Sequence, residues 1–154
     1  MTAHTTNISV LAEGIARVFG TAPISGSQLA DPDKLYAVLD QAGARVVLSS
    51  RYDDRITAAD DERILAENTD TAFWKSRAIL IAPSISFESG EFADRCFPIE
   101  GPTTAPQLLA FFHANVRPVL FDVDTIVLAE SARRVLIATH YGSVVLLEPD
   151  PSRT

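Results

Sequence analysis

Apolar residues recur through the first forty positions at the three- and four-residue spacing of a helix face. Ile8, Leu11, Ile15 and Val18 follow Asn7, whose side chain can accept the orphan amides of a helix start, and Gly20 supplies the stop. A loop, TAPISGSQLA (21–30), separates this first amphipathic helix from a second start signal. There Asp31 can cap while Pro32 is tolerated at the first helical position, and Leu35, Val38 and Leu39 share one face before Gly43. The period then changes: ARVVLSS (44–50) is a short run rich in β-branched residues and reads as a strand.

The middle of the chain is less regular. Thr57 and Asp60 stand at capping-box spacing, with Asp in place of Glu or Gln. Good helix formers follow to Asn68, with only Ile64 and Leu65 to bury, so a marginal helix or a long acidic loop is expected. RAILIAPSISF (77–87) predicts a strand with Ile79 and Ile81 on one face and Leu80 on the other, ended or bulged by Pro83. A short strand is expected around Phe92 to Ile99. Thr104 caps a helix from Ala105 to about Asn115 that carries Leu108, Leu109, Phe111 and Phe112, with Pro118 beyond its end. The last third, Val119 to Glu148, reads as an antiparallel meander: VLFDVDTIVLAES, then RVLIATH, a Tyr141-Gly142 turn, and SVVLLE. This order predicts an α+β fold, a mixed or antiparallel sheet with two N-terminal helices and one later helix packed on one face. One domain over 1–154 is expected, with flexible tails at 1–6 and 150–154.

Composition narrows the function classes. With 154 residues and 47% hydrophobic content the chain can build one sizeable core. Its start lacks a charged n-region followed by an apolar h-region, and no run is long enough to cross a bilayer, so a soluble protein of its compartment of synthesis is expected. A single cysteine, Cys96, excludes an internal disulfide and a cysteine-rich zinc cage, and reads as a buried thiol in a reducing cytosol. The net charge of −7 repels phosphate backbones and disfavours direct nucleic-acid binding. The excess is concentrated in Asp53, Asp54, Asp60, Asp61, Glu62, Glu67 and Asp70, set against Arg55 and Arg63. Such a run is a solvated face or, read functionally, a protein-contact patch.

Candidate chemistry is sparse. VLFDVDTIV resembles the first motif of haloacid-dehalogenase phosphatases, which would make Asp122 a nucleophile and Asp124 a general acid in a metal-dependent reaction. Thr125 stands where that family has glycine, and the only lysines, Lys34 and Lys75, lie upstream, so the charge stabilisation that phosphoryl transfer needs has no downstream source. An apolar strand with Asp122 and Asp124 on its polar face explains the same alternation. His113 and His140 could add imidazole ligands to these carboxylates but lack paired spacing. There is no Gly-rich phosphate loop, no C-x-x-C and no G-x-S-x-G elbow. The reading is therefore of a non-enzymatic protein without cofactor or metal.

In element order the chain resembles tail-completion or tail-terminator proteins of long-tailed, Mu-like contractile phages. GARVVLSSRY (43–52), WKSRAILIA (74–82), PQLLAFFHANVRP (106–118) and IVLAESARRVLIATHYG (126–142) carry the resemblance, which spans roughly residues 8 to 148. It implies a structural subunit that assembles with itself into a ring, commonly a hexamer, at the end of a tail tube, contacting tail tube, sheath or neck proteins. The location implied is the virion tail, after assembly in the host cytoplasm. Sheet edges, loops and the acidic 53–70 stretch would be its contact elements. The second reading is an acidic, cytoplasmic immunity protein or antitoxin whose clustered carboxylates, Asp53, Asp54, Asp60, Asp61 and Glu62, would occupy a basic toxin.

Overall fold

A computed structural model describes residues 4–52, 57–87 and 94–153. In chain order the strands are β1 (Thr6–Asn7), β2 (Arg45–Arg51), β3 (Ala78–Pro83), β4 (Arg95–Glu100), β5 (Thr125–Ala129), β6 (Arg134–Ala138) and β7 (Ser143–Glu148). They form one sheet in the order β1-β4-β3-β5-β6-β7-β2, with every neighbouring pair antiparallel. The helices are α1 (Ile8–Phe19), α2 (Gly26–Ala30), α3 (Pro32–Gln41), α4 (Asp61–Glu67), α5 (Thr71–Trp74) and α6 (Ala105–Asn115). The fold is α+β, and the C-terminal meander is β5-β6-β7.

The helices cover both faces of the sheet, not one. The cause is visible in the strands: after their first residues, Thr125 and Arg134, β5 and β6 are apolar throughout, so each presents a hydrophobic surface on both sides of the pleat. Ile79, Ile81, Val127, Leu136 and Leu146 face Ile64, Leu65, Phe73, Leu108 and Phe112 of α4, α5 and α6. The alternate residues Ile126, Leu128, Val135, Ile137 and Leu147 face Leu11, Ile15, Leu29, Leu35 and Leu39 of α1, α2 and α3. Each such fully buried side chain contributes about 1.5–3 kcal/mol through removal of apolar area from water.

Local chemistry sets the helix ends where the sequence pattern puts them. Asn7 Oδ1 accepts from the Ser9 amide at 2.8 Å, and Gly20 closes α1 at φ +68°. Asp31 caps α3 ahead of Pro32, and Thr104 with Gln107 forms a capping box on α6. Gly14 lets α1 lie close on the sheet, because a Cβ there would stand 2.7 Å from Leu128 Cδ2.

Three local expectations are corrected, and one further element is found. VLFDVD is not strand: Leu120–Asp122 is a 3-10 turn, and β5 starts only at Thr125, whose hydroxyl donates to the carbonyls of Leu120 and Val123. Thr5 and Thr6 are not a free arm, since Thr6 pairs with Cys96 and Thr5 accepts from Arg95. The loop at 21–30 contains α2, started by a Ser25–Gln28 capping box. Asp70 starts α5 by accepting from the Phe73 amide at 3.0 Å. The strand expected around Phe92 to Ile99 is Arg95–Glu100, and residues 92 and 93 lie outside the described residues. Cys96 is buried, and burial pushes its thiol up to about 11, which suits packing and not nucleophilic chemistry.

Candidate interaction surface

β2 is the last strand of the sheet, and among the described residues it pairs only with β7. One residue, Val47, is inserted between the pairs Val46–Leu147 and Leu48–Leu146, a bulge that turns Val47 and Leu48 toward the α4–α6 core. Val46, Ser49 and Arg51 border a groove on the opposite face, of about 490 Å³. Its floor is Ile137, Thr139, Ser143 and Val145, and its wall is Pro32, Asp33 and Tyr36 of α3 together with Tyr141.

The wall is fixed by the β6–β7 turn. The Tyr141 hydroxyl donates to Asp33 Oδ1 at 3.0 Å, tying the turn to the first turn of α3, and partial burial with this acidic partner raises the Tyr141 pKa. Gly142 has φ +99°, and its carbonyl accepts from the Tyr52 amide at 2.8 Å, which extends the β2–β7 ladder. A Cβ at Gly142 would stand 2.1 Å from the Tyr52 carbonyl oxygen, so only glycine fits.

Asp124 and His140 do come together at the foot of this turn. Asp124 Oδ1 accepts from the His140 amide at 2.9 Å and lies 2.8 Å from His140 Nδ1. Asp122 is exposed on its 3-10 turn, and His113 pairs with Asp61 instead. Of the four residues only Asp124 and His140 meet, and His113 and Asp122 lie apart from that pair. Among the described residues no group of three or more His, Cys, Asp or Glu side chains could hold a metal ion.

The acidic stretch is also reassigned. Asp61 has no exposed surface: its Oδ2 lies 2.7 Å from His113 Nε2 and accepts from the Leu120 amide at 2.8 Å, while Oδ1 is buried without a hydrogen bond. Burial raises its pKa against the opposing pull of the Leu120 amide and His113. Asp60 closes its own turn, accepting from the Thr57 amide at 2.9 Å and pairing with Arg63, and these contacts lower its pKa. Glu67 accepts from the Tyr52 hydroxyl at 2.7 Å, which lowers its pKa, and also pairs with Arg63. Asp70 caps α5 and binds Arg134 at 3.0 Å. Only Glu62 of this set is exposed without a hydrogen bond among the described residues. Asp53 and Asp54 lie outside them. The patch expected for a partner is thus largely a set of structural carboxylates.

The exposed apolar residues point elsewhere. Among the described residues the large ones are Val10 (38%), Tyr36 (38%), Val46 (48%) and Tyr141 (46%), and the last three all border the β2 groove. Val10 lies on α1; other residues of that helix, Ser9, Ala12, Glu13 and Ala16, line a second groove of about 500 Å³ together with Pro23 and Ile24. α1 packs over β3, β4 and β5 and touches β1, so the two grooves belong to different halves of the strand order. Sequence reasoning missed both, because an outward-facing valine in RVVLSSR has the same pattern whether the strand is central or at the edge. No protein-family model, no curated protein and no solved structure matches the chain.

Proposed function

We propose that the chain is a non-enzymatic structural assembly protein, a ring-forming subunit of the tail-completion kind at the end of a phage tail tube. The observation that carries this reading is the pair of distinct grooves, one beside β2 at one end of the sheet and one beside α1 over its other half. A head-to-tail ring needs two different surfaces on each subunit, so that every copy uses one toward each neighbour and the rotation closes. The α+β element order that resembles tail-completion proteins supports the same reading. The outer edge of β2, unpaired among the described residues, adds hydrogen-bonding groups to its side of the contact. The ring would meet tail tube, sheath or neck proteins through faces other than these two grooves.

The test is the solution mass. Light scattering at increasing protein concentration should reveal a closed species of hexamer size or near it. A protein that stays monomeric into the high micromolar range would overturn the ring reading.

A further inference from the structure

We propose that the groove beside β2 receives the exposed face of α1 from a second copy, with Glu13 of that helix set against Arg51. This rests on the assembly reading and names its contact. The argument is complementarity of charge and of apolar surface. Arg51 ends β2 exposed at the groove rim and makes no ion pair among the described residues, in a chain whose net charge is otherwise strongly negative. Glu13 is exposed on α1 and makes no ion pair at contact distance among the described residues; Arg17, one turn on, is held by Glu130 at 3.0 Å and feels Glu13 only as a weaker, more distant charge.

The apolar surfaces match in the same way. Val10 precedes Glu13 by one turn and shares the solvent arc of α1 with Ser9 and Ala16. Small residues on that arc let a helix approach an open sheet face closely. Docking it between Tyr36, Tyr141 and Val46 brings all four large exposed apolar side chains into one contact. Because Arg51 closes β2 at one end of the strand order and Glu13 lies on α1 over β3, β4 and β5, each copy keeps one of the two surfaces free for the next, as a heterologous contact requires. Two copies of an acidic chain repel at a distance; the one carboxylate lining the groove, Asp33, is engaged by the Tyr141 hydroxyl, so Arg51 at the rim gives the approach a preferred orientation.

The experiment is a charge swap on the full chain, read by light scattering with circular dichroism to confirm folding. Arg51→Glu and Glu13→Arg should each weaken assembly by about tenfold or more, because each opposes like charges across the contact. The double variant Arg51→Glu/Glu13→Arg should restore assembly. A wild-type oligomer that survives either single change, or that the double change does not rescue, overturns this contact while leaving the ring reading in place. An oligomer insensitive to both changes but abolished by Ser49→Pro would assign the β2 edge to strand addition and also overturn it. A monomeric wild type removes the ring reading, and this contact with it.

Discussion

Asp61 and His113 join α4 to the last turn of α6 through a 2.7 Å contact between Oδ2 and Nε2, and the same oxygen holds the Leu120 amide. One buried carboxylate thus fixes three segments that share no strand: α4, α6 and the 3-10 turn before β5. A side chain that reads as surface charge in the sequence is a junction of the core.

Asp61→Ala should lower the unfolding free energy by about 2 kcal/mol, because it leaves the Leu120 amide without an acceptor and His113 without a partner. Asp61→Asn keeps an acceptor for Leu120 and should cost less. Urea unfolding of the two variants measures both. Equal stability of Asp61→Ala and wild type would remove Asp61 from the packing scheme.

The pH dependence has a sign set by burial. The Asp61 pKa is raised from 3.8, so its contribution to stability is fully present below that unfolded value and is lost as pH rises through the folded pKa. Wild type should therefore lose stability relative to Asp61→Asn as pH climbs across that interval. Asp60 and Glu67 act oppositely: their lowered pKa values give a contribution present at neutral pH that fades in acid, screened because both are exposed. Urea midpoints of wild type and Asp61→Asn from acid to neutral pH report the difference between them.

Gly142→Ala places a methyl group 2.1 Å from the Tyr52 carbonyl oxygen at a residue with φ +99°. The backbone must shift, and a loss of more than about 1 kcal/mol is expected. Hydrogen exchange at the Tyr52 amide, which donates to Gly142, should accelerate more than exchange in the β5–β6 ladder. Uniform acceleration across the sheet would show that the strain is not local to β2.

Asp70 has two tasks that substitution can separate. Asp70→Ala removes the cap on α5 and the ion pair with Arg134, which itself bridges to Glu148 on β7; a loss of about 1–2 kcal/mol is expected. Asp70→Asn keeps a capping oxygen and should lose less. Thermal unfolding ranks the three proteins, and an Asn variant as unstable as Ala would assign the effect to the ion pair.

Short-range chemistry accounts for the local elements. Asn7, Asp31 and Thr104 at helix starts, Gly20 at a stop, and the apolar, β-branched runs either side of Tyr141-Gly142 act over a few residues, so propensity and capping chemistry suffice to place α1, α3, α6 and the β6–β7 hairpin. Short elements such as α2 and α5 carried the same capping chemistry in Ser25 and Asp70, without enough apolar period to stand out. Tertiary structure alone decided which strand lies at the edge, that both sheet faces are covered, and which carboxylates reach water. Those depend on pairings as distant in sequence as Arg45 with Glu148 and Asp61 with His113. An acid is a surface charge or a buried junction according to what the fold sets beside it, and the local run around Asp61 is the same in either case. For the same reason the candidate surface moved from the acidic stretch to Tyr36, Val46, Arg51 and Tyr141, which come from three separate segments and meet only when β2 closes on β7.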